Sequence, residues 1–421
     1  MSSDKVFILA GARTPIASFR GSFASVSAVE LGAIAAKTAI ERAGVAPEDI
    51  EESFVGSVLT ANCGQNVARQ VAIAVGIPKT SQAVTINKVC SSSMKALALA
   101  ALSLKCGYRR KVPFYLPRGE IPYGGTNILD GVAKDGLEDA MLKSPMGLCA
   151  EKSVKDYNIS RSAQDEFAVQ SYKKAAAAWK ADPEFGLFAE EVIPVTVKPK
   201  RGASFVVSED EEFKKLVESK NGLFAEEVIP VTVKPKRGAS FVVSEDEEFK
   251  KLVESKVPTL SAVFVKDGTG TITAANASSL NDGGVAAVVA RGDEIPQGVT
   301  PLVEVVAFAE DGGEPVDFTV APIGAARKLL EQAKLSTSDI ALWEVNEAFS
   351  ATVLAFIQDL KLDPAVVNVK GGAVALGHPL GMSGLRIVLS LAYSLSPGEL
   401  GVAAICNGGG EAMAMLLRKP L

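Results

Sequence analysis

Asn87-Lys88-Val89-Cys90-Ser91-Ser92-Ser93-Met94-Lys95 links an apolar run over residues 83–89 to a second apolar, Ala- and Leu-rich run that continues to about Cys106. The first run reads as a buried strand and the second as a helix. A cysteine therefore stands where a strand hands the chain to the first turn of a helix. Unpaired N–H groups at that place carry partial positive charge and favour a thiolate. Free cysteine is also among the most buried residue types, so a packed core thiol fits the same string.

Outward from this junction the same rhythm recurs. Residues 6–10 form an apolar strand pattern, and Ser27-Ala28-Val29-Glu30 has capping-box spacing for a helix that runs to about Gly44. Residues 54–59 read as a strand and 65–75 as a helix. The last third alternates likewise, with strands at 302–308, 340–345, 401–405 and 412–417 and helices at 321–333, 348–360 and 383–395. Strands alternating with helices of this length predict an α/β fold of parallel βαβ units with helices on both faces. Residues 117–256 break the rhythm and read as a polar, charged insertion. Within it, residues 186–220 and 222–256 are identical over all 35 positions, with only Asn221 between them. Two copies cannot stack into a stable solenoid, so the identity reads as a recent duplication.

Composition narrows the function. The chain has 421 residues, 48% of them hydrophobic, which suits two or three packed units with a large core. A net charge of −5 gives no reason to expect nucleic-acid binding. No apolar run reaches bilayer-spanning length. The first residues carry neither a signal-peptide core nor an Arg-rich transit pattern, which places the chain in the cytoplasm, with the mitochondrion as the alternative. Five cysteines without a C-x-x-C pair fit reduced thiols better than disulfides or zinc. His378 is the only histidine, which excludes any two-histidine mechanism.

Three more segments carry chemistry. Four glycines surround His378 in Gly371-Gly372-Ala373-Val374-Ala375-Leu376-Gly377-His378-Pro379-Leu380-Gly381, a string that lets backbone approach a ligand closely or is an ordinary loop. Cys406-Asn407-Gly408-Gly409-Gly410 follows an apolar strand and offers exposed N–H groups for an oxyanion, or a plain turn. Asn346-Glu347-Ala348-Phe349 marks a strand-to-helix change where Asn346 could act as N-cap, in catalysis, or both. All four segments lie at strand ends, where reactive groups of open α/β sheets gather.

Together these strings, in this order, resemble the signature blocks of the thiolase family over most of the chain. The resemblance implies a thiolase-like αβαβα sandwich of two similar halves with an inserted loop domain. Residues 1–117 with 257–295 would form one half, 118–256 the loop domain and 296–421 the other half. It implies an acetyl-CoA C-acetyltransferase that condenses two acetyl-CoA into acetoacetyl-CoA and CoA through an acetyl-Cys90 intermediate. His378 would be the base for Cys90, and Cys406 would remove a methyl proton from the second substrate. Asn346 with His378, and the N–H groups of Cys90 and Gly408, would form two oxyanion holes. Ser278, Lys256 and Tyr172 would contact CoA. The Thr273-Ala274-Ala275-Asn276-Ala277-Ser278 block resembles that of potassium-activated members, with carbonyls of Ala274, Ala275, Ala277 and Val374 and the nearby Tyr172 facing the ion. No other cofactor is implied; the expected partners are acetyl-CoA, CoA and further copies of the chain, as a homodimer or homotetramer. Ketoacyl-synthase-type enzymes share the fold but usually need a second histidine.

Two departures stand out. The duplication adds 36 residues to the loop domain, and Lys220 duplicates Lys256. After the helix that follows Cys90, Gly107-Tyr108-Arg109-Arg110 runs straight into Lys111-Val112-Pro113-Phe114-Tyr115-Leu116-Pro117 where the family has an apolar strand, so roughly a dozen residues, a strand and its turn, are missing. These departures imply an alternative: a catalytically impaired isoform or CoA-binding homologue.

Overall fold

A computed structural model describes residues 5–19, 21–61, 63–106, 133–180, 231–233, 241–243 and 246–421. The elements of the first half are β1 (Val6–Arg13), β2 (Ala17–Ser18), α1 (Ala28–Ala43), β3 (Glu52–Gly56), α2 (Val67–Ala74), β4 (Gln82–Ile86) and α3 (Ser92–Lys105). The covering region gives β5 (Glu138–Asp139), β6 (Ser144–Pro145), α4 (Met146–Asp156), α5 (Arg161–Lys180), β7 (Val231–Val233) and β8 (Phe241–Val243). Then come β9 (Asn281–Asp282), β10 (Val285–Arg291), β11 (Val303–Gly312), α6 (Ala321–Ala333), β12 (Leu342–Val345), α7 (Ser350–Leu360), α8 (Ala373–Leu376), α9 (Ser383–Ser394), β13 (Leu400–Asn407) and β14 (Glu411–Arg418).

Local signals account for several boundaries. Ser27 caps α1 through a reciprocal capping box with Glu30, and Gly44 ends the helix at a φ of 64°. Among the described residues the main sheet has six strands, in the order β10-β1-β11-β14-β13-β12. It is mixed rather than parallel throughout. The parallel pairing expected from sequence holds for β3 with β4 and β12 with β13, whereas β1, β10, β11 and β14 pair antiparallel. The reason for β13 and β14 is the connection: only Gly408-Gly409-Gly410 separates them, too short for a crossover.

Residues of β14 alternate between two cores. Met413, Met415 and Leu417 meet α3 and α9, while Ala412, Ala414 and Leu416 face the core of α6 and α7. A strand buried on both faces is apolar at every position, which is why residues 412–417 carry no polar alternation. The helices α3 and α9 form the middle layer, with α1 covering β1 and β10 on the other side. Gly384 is what lets the two central helices touch. A Cβ there would lie 2.8 Å from the backbone nitrogen of Met94.

The two halves repeat one plan, with one difference. β1-α1-β3-α2-β4-α3 corresponds to β11-α6-β12-α7-(bridge at Val367)-α9, and β10 pairs with β1 as β14 pairs with β11. In the second half β13 fills the space between β12 and β14. At the equivalent place in the first half, between β3 and β10, the described residues leave a space of about 1720 Å3 lined by Phe54, Val55, Val71, Leu97, Val288 and Leu104 among others. The irregular segment expected after Arg110 lies outside the described residues; α3, which precedes it, borders this space.

The first repeat copy also lies outside the described residues. Part of the second copy is described and is packed. The Asp246 carboxylate accepts from both terminal nitrogens of Arg13, at 2.8 and 3.1 Å, and from the N–H of Ile16 at 2.6 Å, with both charged side chains fully buried. Val231 and Val243 pack with Phe23 and Leu31, and Phe249 stacks on Trp179 at 5.9 Å. Removing one partner of such a buried pair costs about 3–5 kcal/mol. Asp246→Ala should therefore lower the denaturant midpoint strongly, whereas Asp210→Ala, the same position in the first copy, should change it little. Equal losses would show that the copies share the place.

Candidate active site

Cys90 lies between β4 and α3, and the backbone bends sharply to present it. Val89 sits at a φ of 46°, a left-handed conformation that β-branched residues rarely adopt and that costs on the order of 1–3 kcal/mol. The Ser92 hydroxyl holds the bend by donating to the Val89 carbonyl at 2.6 Å and accepting from the Lys88 N–H at 2.9 Å. The Ser91 hydroxyl donates to Asn407 Oδ1 at 2.9 Å, which ties the Cys90 junction to the end of β13, where Cys406 lies.

The loop bearing His378 reaches the same place from the other side of the α3–α9 contact. Ser93 Oγ donates to the Met382 carbonyl at 3.0 Å and accepts from the Leu385 N–H at 2.9 Å. The His378 N–H is shared by the Ser279 carbonyl at 3.1 Å and Asn281 Oδ1 at 3.0 Å. Gly377, at a φ of 102°, is required here, because a Cβ would lie 2.4 Å from the Asn281 side chain. Asn346 enters at the end of β12, its N–H donating to the Ala404 carbonyl at 2.9 Å, so it shares a sheet end with Cys406. It is not the N-cap read as an option from sequence. The helix starts at Ser350 with Phe349 as its cap, and both polar atoms of the Asn346 side chain are buried without a hydrogen-bond partner among the described residues. His378 Nε2 is in the same condition.

Burial dominates the electrostatics. It pushes the Cys90 thiol up to about 12, partly offset by hydrogen bonds from its own N–H and that of Gly408. Cys406 is raised further above the ordinary thiol range, by burial and then by the charge on Cys90, so the two sulfurs sense each other and ionising one opposes ionising the other. His378 is pushed down to about 3 by burial and by the Arg386 guanidinium. The resting site thus holds neutral thiols and a neutral imidazole. Beneath it Glu347, held protonated more readily by its burial, bonds Ser171, Asn368 and the Val374 N–H at 2.8 to 3.0 Å.

The remaining expected residues are placed around this centre. Ser278 donates through Oγ to the Ala348 carbonyl at 3.0 Å, and Lys256 is exposed. Helix α5 runs between the 274–277 turn and α8: Val169 packs with Ala275, and Tyr172 packs with the cluster of Ala375 and Leu376. Cys149 shares an apolar cluster with Cys406, and its thiol is pushed up to about 11 by burial and then by Asp139. Sequence reasoning missed Ser383 and Asn368, and it placed Asn281 in the CoA-contacting block without its bond to His378, because these roles depend on neighbours distant in the chain. The one available signal was a serine five residues after the only histidine.

Comparison with known proteins gives a consistent family. Residues 6–219 and 214–293 match the thiolase N-terminal domain, and 299–419 the thiolase C-terminal domain. The chain is 44% identical to the human mitochondrial acetyl-CoA acetyltransferase over 99% of its own length and 90% of the relative's. It is 44% identical to acetyl-CoA acetyltransferase B, mitochondrial, of Xenopus laevis, over 99% and 92%. The crystal structure of the Acat5 thiolase of Ascaris suum in complex with coenzyme A matches with 50% identity and a TM-score of 0.81, over 99% of this chain and all of that one. The acetyl-CoA acetyltransferase of Bacillus anthracis matches with 32% identity and a TM-score of 0.82, over 99% of both.

The His378 shift has a sign that can be tested. The unfolded chain takes up a proton near pH 6.5 that the buried ring refuses until about pH 3. This contribution to stability is present above pH 6.5 and is lost as pH falls toward 3, at up to about 1.4 kcal/mol per pH unit. Urea unfolding at pH 6.5 and 4.5 should show a smaller loss in His378→Asn than in the parent chain. Parallel slopes would mean that the ring is not held neutral.

Proposed function

The chain belongs to the thiolase family and is an acetyl-CoA C-acetyltransferase, and from that premise we propose how its own residues join two acetyl-CoA molecules into acetoacetyl-CoA and CoA. One observation carries the proposal: Cys406 shares a sheet end with Asn346 and is electrically coupled to buried Cys90, while the Asn346 amide and His378 Nε2 are buried with no hydrogen-bond partner among the described residues. These relations favour an active enzyme over the impaired alternative.

In the first half-reaction the Cys90 thiol proton passes to His378 Nε2 as the sulfur attacks the thioester carbonyl. The carbon–sulfur bond to CoA breaks, the leaving thiolate takes the proton back from His378, and acetyl-Cys90 remains. Because burial opposes both charges, proton transfer accompanies attack rather than preceding it. The N–H groups of Cys90 and Gly408 point at the sulfur and are suited to the oxyanion on the attacked carbonyl. In the second half-reaction the Cys406 thiol passes its proton to His378 Nε2 as the sulfur removes a methyl proton from another acetyl-CoA. Asn346 and the Nε2–H of His378 stabilise the enolate. The carbanion attacks acetyl-Cys90, a carbon–carbon bond forms, the carbon–sulfur bond to Cys90 breaks, and the Cys90 thiolate takes the proton from His378, leaving both thiols and the imidazole neutral again.

Ser278 and Tyr172 would line the approach of the CoA arm, and exposed Lys256 would face its nucleotide. Potassium fits the remaining groups. The Tyr172 hydroxyl is pushed up to about 12, first by burial, which opposes any charge, and then by Glu248 and Glu347, and it is these carboxyls that would favour a cation. Carbonyls of Ala274, Ala275, Ala277 and Val374 would be the oxygen donors, and the ion would brace the CoA-contacting turn against α8. A homodimer or homotetramer is the proposed assembly. No helix among the described residues is long and apolar enough to cross a membrane. The names of the matched animal relatives favour a mitochondrial place over the cytoplasmic one read from sequence.

Incubation with labelled acetyl-CoA and peptide mapping should place the acetyl group on Cys90. Cys90→Ala should lose both label and turnover, while Cys406→Ala should keep the label and lose condensation. Label on Cys406 or Cys149 would overturn these roles. Exchange of potassium for sodium should lower the thermal midpoint, and Tyr172→Ala should blunt that difference. Indifference of the parent enzyme to the ion would remove potassium from the site.

A further inference from the structure

We propose that Ser383 fixes His378 in the tautomer that carries its proton on Nδ1 and thereby makes Nε2 the base. Ser383 is a positioning residue, and the inference rests on the acyl-transfer reading above.

The geometry is a short relay. Ser383 opens α9, five residues after the histidine, and its Oγ lies 2.6 Å from His378 Nδ1. The same oxygen is 3.0 Å from the Pro379 carbonyl, which can only accept. A hydroxyl has one proton. Given to Pro379, it leaves Ser383 Oγ a lone pair that accepts from Nδ1–H. The opposite arrangement would put the ring proton on Nε2. That buried atom faces no acceptor among the described residues, and an unsatisfied buried donor costs about 1–3 kcal/mol. The Pro379 carbonyl also accepts from the N–H groups of Met382 and Ser383, at 3.0 and 3.1 Å, which fixes the turn that sets the hydroxyl's position.

Little else can orient the ring. The His378 N–H is held by Ser279 and Asn281, and Asn281 Oδ1 is itself held by the Ser279 hydroxyl at 2.8 Å. Backbone placement is settled, and rotation of the ring is the freedom that Ser383 removes. The partner's neutrality matters as well. A carboxylate at this position would stabilise an imidazolium and trap the proton taken from Cys90. A hydroxyl orients the ring without doing so, and the Arg386 guanidinium further disfavours the charged form. The ring can then return its proton to the departing thiolate, as the first half-reaction requires.

The chain offers a direct readout because His378 is its only histidine. In untagged full-length protein labelled with nitrogen-15 histidine, every imidazole signal belongs to that residue, and shifts and couplings report which nitrogen is protonated. The parent protein should show Nδ1–H across neutral pH. Ser383→Ala should mix the tautomers and lower kcat by roughly 10- to 100-fold, the usual effect of losing a histidine-orienting partner, with KM little changed. Ser383→Thr, which keeps the hydroxyl, should restore both. An Nε2–H tautomer in the parent protein would overturn the inference even if Ser383→Ala did not fold. So would an unaltered Nδ1–H signal with unaltered kcat in a folded Ser383→Ala protein. Failure of Cys90 to acetylate alongside a correct tautomer would instead count against the acyl-transfer reading alone.

Discussion

Everything in the molecule hangs on the contact between α3 and α9. The two helices meet closely enough that Gly384 leaves no room for a Cβ against Met94, and Ser93 ties the Met382 carbonyl to the Leu385 N–H across the gap. One helix follows the Cys90 bend, the other begins five residues after His378. The same packing that fills the middle layer with Met94, Leu97, Val388 and Leu391 therefore sets where nucleophile and base stand. Packed interiors have little slack, so a reactive geometry fixed by a core contact is held more firmly than one carried on a surface loop.

Burial that is useful for packing also sets the chemistry. Two thiols, an imidazole and an amide sit in a region where charge is costly, so the site rests neutral and charge develops only as substrate bonds break. Its surroundings are arranged to accommodate that charge when it appears: N–H groups at the β13–β14 turn, and a buried carboxyl, Glu347, satisfied on several sides by Ser171, Asn368 and Val374. The strained Val89 belongs to the same economy of position, since a relaxed backbone there would aim Cys90 elsewhere.

The two irregularities of the chain act on different parts of this design. The second repeat copy supplies Asp246 to a buried pair with Arg13 and Phe249 to a stack on Trp179, so part of the duplicated sequence is core rather than surface. The space that the described residues leave between β3 and β10 stands where the other half places β13, a strand whose residues from Gly401 to Asn407 are all buried. Both edges that β13 would bridge in that half are paired, and in this one β10 pairs with β1 alone and β3 with β4 alone among the described strands.

Much of this was legible along the chain. Periodicity located most of the long helices and strands within a few residues, because amphipathic and doubly buried elements leave local patterns, and Ser27 with Glu30 announced its own helix. The strings around Cys90, His378, Asn346 and Cys406 marked the reactive positions, because glycines, a lone histidine and cysteines at strand ends are local signals too. Strand direction was not legible: alternation of strands and helices looks the same whether a late strand returns through a crossover or a three-glycine turn. Nor was the state of each reactive group. Whether Asn346 caps a helix or is left unpartnered depends on Phe349 and on burial by distant segments. Which nitrogen of His378 serves as base depends on a hydroxyl that only the turn into α9 brings within 2.6 Å. Residue type and order are properties of the chain, whereas burial, charge coupling and hydrogen-bond partnership arise from contacts between segments hundreds of residues apart, and only the tertiary structure decides them.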